Sequence, residues 1–329
     1  MNRGGTMHSP RKLDLVAIGD PVLDVVVRGS HLPVWDDKHL GRSVHQFAGG
    51  SEANAACAAS RLGLRTALFG NLGDGHEARF LADELRRFGV SETYVRRQTA
   101  TTCATAVIFV SESGERAITY VPMRKRMDRW DELEQMLEQT RCIYTLPYDM
   151  IAFKRLADAA RVAGTLVVVD IERAVASVPQ ALPVLSDSVD YMFFNESGFS
   201  GLVGTPASPS TAADFIQTTT AQVLVVSLGP RGAIAVDREG AFATQEAYQA
   251  KVVDTTGAGD TFNAAFLAAY LLGRDLKSAL AQGCAAACHC IEAEGARLGM
   301  PTQQQIAELQ TSRPLTVNSK KTLQGCEPV

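Results

Sequence analysis

Five short and almost wholly apolar segments, separated by stretches with helical periodicity, constrain the fold of this chain most. They are LDLVAI, CIYTL, TLVVVD, YMFFNE and QVLVVSLG, which begin at Leu13, Cys142, Thr165, Tyr191 and Gln222. A segment that is apolar on both faces predicts a strand that is covered on both sides. Such strands alternating with helices predict an α/β fold, a three-layer α/β/α sandwich with a mostly parallel central sheet.

Two further segments, residues 22–46 and 103–123, do not fit that sheet. The first has scattered Gly, Pro and Asp among β-branched residues, and the second predicts a β-hairpin that turns at Ser113-Gly114. We predict that they form a small β-sheet, called the lid below. Lid and body together make a single domain over residues 12–312, and residues 313–329, which lack periodicity, are predicted to be a flexible tail.

Composition excludes several classes of protein. The 329 residues carry a formal net charge of -4 without a block of Lys or Arg, so no nucleic-acid partner is expected. No apolar run approaches the ~18 residues of a membrane helix, and the N-terminus lacks the apolar core of a signal peptide. The seven cysteines are odd in number and widely spread, which indicates reduced thiols and a cytoplasmic location. The cluster CAAACHC at Cys284 is interpreted as a core helix.

Polar residues close four of the predicted strands: Asp20, Asp170, Asn195 and Ser227. Ligands of open α/β sheets bind beyond the carboxyl ends of the strands. All four side chains are therefore expected to point into one crevice.

The segment VVDTTGAGDTFNAAF places three small residues and a carboxylate where a helix begins. The first N–H groups of a helix have no internal partner and favour an anion. Gly257, Ala258 and Gly259 would let a phosphoryl group approach those donors, and Asp260 at their rim could accept a proton from an attacking hydroxyl. The alternative is that Asp260 only caps the helix.

Three motifs in order carry a resemblance to a known family. DTTGAGD at Asp254, GGSEAN at Gly49 and SLGPRG at Ser227 resemble the hallmarks of the ribokinase-like (pfkB) carbohydrate kinases, with matching spacing across roughly residues 13–310. The resemblance implies that Asp260 is the general base and that Gly257, Ala258 and Gly259 form an anion hole. It is nearer to the ketohexose and sulfofructose kinase branch than to ribokinase proper.

The resemblance also implies a sugar site. Asp24, and less directly Asp20, would accept hydrogen bonds from a diol, and Asn54 would contact the sugar. Gly49 and Gly50 would join lid to body. Ser51 stands where ribokinases carry Lys, a departure that weakens ribose as the substrate.

The implied nucleotide site comprises Asn195, Ser227, Gly229, Gly232 and Gly295. The family pattern of Asn, two residues and Glu is broken here, because Gly198 holds the Glu position. Glu196 is a candidate to act on magnesium through water. ATP and Mg²⁺ are the expected cofactors, and Asp254 suggests a monovalent cation such as K⁺.

These features predict ATP-dependent phosphorylation of a hydroxyl, most simply a primary one, of a small sugar. The alternatives are an adenosine-type nucleoside kinase and a catalytically weak sugar or nucleotide sensor, which Gly198 would suit. Arg116 and Arg124 beside the lid hairpin could meet an acidic substituent or be solvated. A homodimer through the lid is expected, and no membrane partner.

Overall fold

The computed structural model of the chain describes residues 11–36, 38–123 and 129–316. Its strands are β1 Leu13–Ile18, β2 Val22–Gly29, β3 Gly41–Gly49, β4 Thr66–Leu72, β5 Val95–Arg97, β6 Ala104–Val110, β7 Arg116–Val121, β8 Thr140–Thr145, β9 Leu166–Ile171, β10 Tyr191–Asn195, β11 Val223–Ser227, β12 Ala233–Asp237 and β13 Phe242–Gln245. Its helices are α1 Ser51–Arg61, α2 His76–Arg87, α3 Trp130–Glu138, α4 Met150–Ala163, α5 Arg173–Ala176, α6 Ala181–Ser188, α7 Glu196–Val203, α8 Pro209–Gln217, α9 Ala258–Leu271, α10 Leu276–Cys290, α11 Gly295–Leu298 and α12 Gln303–Ser312.

The central sheet contains the five apolar segments as five consecutive strands. Within the described ranges it has nine strands in the order β13-β12-β11-β10-β9-β8-β1-β4-β5. All pairs are parallel except those of the β11–β12–β13 meander. The helices contact one another in two groups: α9 packs against α1 and α10, and α4 packs against α3 and α6. The predicted three-layer α/β fold is confirmed.

The lid is a separate sheet of four strands, counted over the described residues, in the order β3-β2-β6-β7. The predicted hairpin is the antiparallel pair β6–β7, while β2 and β6 run parallel. β3 extends three residues beyond the predicted lid segment and ends at Gly49, next to the start of α1. The lid strand β3 therefore leads directly into the segment that carries the GGSEAN motif.

The DTTGAGD motif ends in the first turn of α9, a helix that is buried over nearly its whole surface. α9 is apolar on all sides, and Phe266 packs edge-to-face on Phe193 of β10. A helix without a polar face belongs in the interior, which holds the start of α9 rigidly. The cysteine cluster is part of the neighbouring helix α10, where Cys284, Cys288 and Cys290 are buried free thiols, as interpreted from the sequence.

The end of the described chain differs from the tail prediction. Arg313 forms an ion pair with Glu292, and Leu315 pairs with Tyr248. Residues 313–316 are thus bound to the body, while residues 317–329 lie outside the described residues. In the part of the chain with described structure, every helix is too short or too polar to cross a membrane.

Candidate active site

A cavity of about 1700 Å³ lies at the carboxyl ends of the central strands, between the sheet and the lid. Asp20, Asp170, Asn195 and Ser227 all line it, as the strand-end argument predicts. Ala106, Ile108, Ile118 and Tyr120 of the lid form an apolar part of its wall. Sequence-separated motifs therefore meet in one crevice.

The turn before α9 presents free amides to this cavity. Gly257 is the N-cap of α9 with φ 76°, and Gly257, Gly259 and Asp260 line the cavity. Among the described residues, no backbone carbonyl accepts a hydrogen bond from the N–H groups of these three. The amide of Ala258, in contrast, donates to the Thr255 carbonyl at 3.3 Å, and Ala258 does not line the cavity. The available donors are thus those of the two glycines and Asp260.

Asp260 is held by a chain of donors. Its Oδ2 accepts a hydrogen bond of 2.8 Å from Asn54 Nδ2, and Asn54 Oδ1 accepts one of 2.9 Å from Arg297 Nε. The side chain is 8% exposed, and burial raises the pKa of Asp260 to about 7, against the lowering effect of the Asn54 hydrogen bond. A carboxyl group with such a pKa can exchange a proton near neutral pH.

Two further carboxylates predicted for substrate lie in the same cavity. Asp24 is 8% exposed, and burial raises its pKa to about 6, while Arg297 opposes the rise. Asp20 Oδ1 accepts hydrogen bonds from the Asn71 amide at 2.9 Å and from Asn71 Nδ2 at 3.1 Å. Asp24 therefore has more capacity for new donors than Asp20.

The glycine pair, Gly49 and Gly50, lies between the Asp24 carboxylate and the helix that carries Asn54. Gly49 does not line the cavity, but a Cβ there would overlap the Asp24 carboxylate, so Gly49 makes room for that side chain. Gly50 lines the cavity and is the N-cap of α1, the helix that carries Asn54.

A buried polar network lies beneath the turn. Asn263, one helical turn after Asp260, donates through Nδ2 to the Tyr144 hydroxyl at 3.0 Å, which lies 3.1 Å from Asp170 Oδ2. Burial and then the charge of Glu172 raise the pKa of Asp170 well above its usual value. The network ties α9 to β8 and β9, and so positions the turn on the sheet.

The predicted nucleotide residues are only partly in the cavity. Ser227 and Gly229 line it, whereas Gly232 packs against the Gln245 carbonyl and Gly295 against Phe47, outside the lining. Asn195 Oδ1 caps α7 by accepting from the Gly198 amide at 2.7 Å.

Glu196, the predicted magnesium contact, lines the cavity but forms an ion pair of 2.5 Å with Arg231. The neighbouring Gly198 is fixed by packing, because a Cβ there would overlap the Ile171 carbonyl oxygen. The break in the family pattern is thus built into the contact between α7 and β9.

The loop at residues 254–256, which precedes the turn before α9, is in contact with the lid. Asp254 accepts hydrogen bonds from the Thr256 amide and hydroxyl and from the Gly295 amide, and although burial opposes them they lower the pKa of Asp254. Arg116 of β7 donates to the Thr255 hydroxyl at 2.9 Å. Arg124, the other arginine considered, lies outside the described residues.

Arg297 was not identified from the sequence, where it stands in GARLG beside the predicted loop residue Gly295. It is 4% exposed and donates hydrogen bonds to Gly49 and Asn54, which lie 248 and 243 positions earlier in the chain. Glu172 also lines the cavity, and burial raises its pKa. Neither residue belongs to a motif, so only the fold brings them to the site.

Comparison with known proteins gives a family for this arrangement. The profile described as pfkB family carbohydrate kinase matches residues 12–303. A ribokinase of Arabidopsis thaliana is 29% identical over 92% of this chain and 81% of its own length. An uncharacterized sugar kinase of Archaeoglobus fulgidus is 32% identical over 74% of this chain and 97% of its own.

Solved structures show the same fold. The structure of Arabidopsis thaliana ribokinase complexed with ribose and ATP superposes with a TM-score of 0.79 and 26% identity, over 91% of this chain and 98% of that one. The family profile spans almost all of the described body, with the lid and the turn before α9 inside it. The chain therefore belongs to the pfkB family of carbohydrate kinases, phosphotransferases whose acceptor is an alcohol group.

Proposed function

We propose that this protein phosphorylates a hydroxyl group, a primary one, of a small sugar or sugar derivative with ATP as the donor. The observation that carries the proposal is the side chain of Asp260, which lies in the cavity beside amides that have no carbonyl partner. Base and anion site are thus side by side at the start of one helix.

Asp260 acts as the general base. Asn54 binds Oδ2 and leaves Oδ1 for the acceptor hydroxyl. As the hydroxyl attacks phosphorus, its proton moves to this carboxylate, which must be ionised beforehand. A pKa of about 7 keeps a useful fraction ionised at neutral pH.

The amides of Gly257, Gly259 and Asp260 bind the phosphoryl group in transfer. Charge grows on its equatorial oxygens, and donors already aimed at them stabilise the transition state more than the ground state. The positive end of the α9 dipole adds to this effect. These donors need no movement, because α9 is packed in the core.

The sugar occupies the lid side of the cavity. The Asp24 carboxylate can accept two hydroxyl donors of a diol, and the apolar lid wall formed by Ile118 and Tyr120 covers the carbon skeleton. Single-ligand sites are typically ~300–1,000 Å³. The cavity of about 1700 Å³ is therefore wide enough for sugar and nucleotide together. The nearer likeness to ketohexose and sulfofructose kinases stays a prediction.

Asn195 and Glu196 would hold a magnesium ion through its waters, because Asn195 Oδ1 already accepts from the Gly198 amide and Glu196 pairs with Arg231. Asn195 and Glu196 line the cavity, and among the described residues no three His, Cys, Asp or Glu side chains cluster to enclose a metal alone. The chemistry supplied by Mg²⁺ bound with the nucleotide would be neutralisation of charge on the phosphate oxygens. Asp254 does not fit a monovalent cation equally well, because its oxygens already accept three hydrogen bonds and Arg116 lies 3.8 Å away.

The decisive test is Asp260→Asn, assayed for ADP release with ATP, Mg²⁺ and a panel of ribose, fructose, a sulfonated ketohexose and adenosine. Loss of a general base should lower kcat by about 10²–10⁴-fold. Asp275→Asn is the matched control, because Asp275 is an exposed N-cap of α10 outside the cavity. ATP binding should survive in both variants.

Full turnover in Asp260→Asn would exclude the proposed base. Absence of ADP release by the wild type, with ATP bound, would favour the sensor, and release with adenosine alone would favour a nucleoside kinase.

We also propose a homodimer through the lid, in the cytoplasm. Val34, Trp35, Leu40 and Val44 of the lid are exposed at 60%, 99%, 77% and 62%, more apolar surface than single scattered residues present. Sedimentation equilibrium should give a dimer for the wild type and a monomer for Val44→Asp. A monomeric wild type would exclude the dimer.

A further inference from the structure

We propose that Arg297 is a positioning residue that fixes the side-chain amide of Asn54, so that Asn54 donates its hydrogen bond to Asp260. The inference rests on the proposed function of Asp260 as the base. It names a residue that no motif of the chain contains.

The donor and acceptor chemistry of the three side chains permits one arrangement. A guanidinium only donates, so the Asn54 oxygen must face Arg297 Nε at 2.9 Å. The Asn54 nitrogen must then face Asp260 Oδ2 at 2.8 Å, where an ionised carboxylate only accepts. Without Arg297, the Asn54 amide could rotate by half a turn and present its oxygen to the base.

Arg297 itself is held from several sides. Its Nη2 donates to the carbonyl of Gly49 at 2.9 Å, and its Nη1 is buried without a hydrogen-bond partner among the described residues. Burying a guanidinium with an unused donor is costly. A neutral side chain would avoid much of that cost, so the geometry points to a role beyond stability.

The short helix α11 joins this residue to the rest of the site. Gly295 donates to Asp254, and Ala296 packs against Gly257 of the turn at residues 257–260, called the anion turn below. Arg297 adds Asn54 and the last residue of lid strand β3. One four-residue segment thus touches the anion turn, the lid junction and, through Asn54, the base.

The charges around Asp260 come from several elements. Besides Arg297, the titratable groups that interact with it are Glu52, Glu172, Asp170, Tyr144 and Cys290. The two glutamates raise the pKa of Asp260 and Arg297 lowers it. Removing Arg297 should therefore raise this pKa both directly and by freeing Asn54, and the experiment must separate the two effects.

The test is a double-mutant cycle of Arg297→Met and Asn54→Ala, read out as the pH profile of kcat/KM. Each single variant should move the acid limb up by about one pH unit, as loss of a hydrogen bond to the charged form does. At pH 6 each should lose up to about 10-fold in kcat/KM beyond any change at high pH. In the Asn54→Ala background, Arg297→Met should add only the part of the shift that comes from loss of its own charge, which is smaller than the shift it causes in the wild type.

The matched control is Arg238→Met. Arg238 also donates to backbone carbonyls, those of Ala221 and Ile216, but lies outside the cavity. It should reduce the urea midpoint and leave the acid limb in place. An acid limb that Arg297→Met does not move, or a full second shift in the Asn54→Ala background, would overturn the positioning role. If Arg297→Met does not fold, Arg297→Gln makes the same comparison, because its amide does not impose one orientation on Asn54.

A second readout does not depend on activity. The difference in unfolding free energy between wild type and Asp260→Asn, followed from pH 5 to 9, reports the pKa of Asp260 in the folded state. The pH at which this difference levels off should rise when Arg297 is replaced in both proteins, and should rise less when Asn54 is already alanine. A wild type without kinase activity would refute the proposed function, while this measurement would still decide the coupling.

Discussion

Two glycines of the anion turn should respond in opposite ways to the same added methyl group. Gly257 has φ 76°, and a Cβ there would lie 2.7 Å from Ala296 Cβ and carbonyl oxygen and 2.8 Å from its Cα. Gly259 is in the first turn of α9, and a Cβ there would have no atom within 4 Å. Only the second methyl can be accommodated without movement.

The magnitudes follow from these contacts. The left-handed conformation costs a residue with a Cβ about 1–2 kcal/mol, and overpacking adds about 1–3 kcal/mol. Gly257→Ala should therefore lower the free energy of unfolding by about 2–5 kcal/mol, a large part of the ~5–15 kcal/mol of a typical protein. Gly259→Ala should raise it by up to about 0.5–1 kcal/mol, the helix preference of Ala over Gly.

Gly259→Ala, the variant that should gain stability, should nevertheless lose activity. The methyl group of Gly259→Ala extends into the cavity, where the phosphoryl oxygens approach the amides, and should lower kcat/KM by about 10²-fold, the effect of losing one such donor. Urea unfolding followed by fluorescence of the two tryptophans measures stability, and ADP release measures turnover. Equal stabilities for the two variants would refute the described turn, and full activity of Gly259→Ala would refute the anion site.

Two further predictions concern the carboxyl group of Asp260 and the glycine at position 198, where the family pattern has Glu. Because burial raises the pKa of Asp260 to about 7, kcat/KM should rise with pH up to about 7 and then level off. The contribution of the Asp260 carboxyl group to stability should be complete below pH 3.8 and lost as pH rises through 7. Asp260→Asn should remove that loss in urea unfolding followed against pH, and an unchanged pH dependence would contradict the shift. Gly198→Ala should destabilise the protein by about 1–3 kcal/mol, because the added Cβ would overlap the Ile171 carbonyl. Gly201→Ala in the same helix should be neutral or stabilising, because its Cβ would lie at an ordinary 3.5 Å from Ala176 Cβ. Equal effects of the two variants in urea unfolding would contradict the close packing.

Much of the architecture could be predicted from local patterns. An apolar segment such as that at Leu13 can be satisfied only inside a layered sheet, and its polar end residue then falls at the carboxyl edge. The meeting of amides and a carboxylate at the start of α9 was predictable for a similar reason, since Gly257, Gly259 and Asp260 lie within four positions of one another in the chain. Local chemistry determines what such a segment can do before it is packed.

The sequence by itself thus determined the layered α/β fold, the lid hairpin and the carboxylate beside the amides, because each depends on residues within one short segment. Only the tertiary structure decided that the Ala258 amide donates to the Thr255 carbonyl and that Glu196 pairs with Arg231. It also decided that Arg297 orients Asn54, which lies 243 positions earlier in the chain. Hydrogen bonds and ion pairs between distant segments depend on which side chains the sheet and helices bring within about 3 Å of each other. No periodicity or motif encodes that distance, so these contacts could be known only from the folded chain.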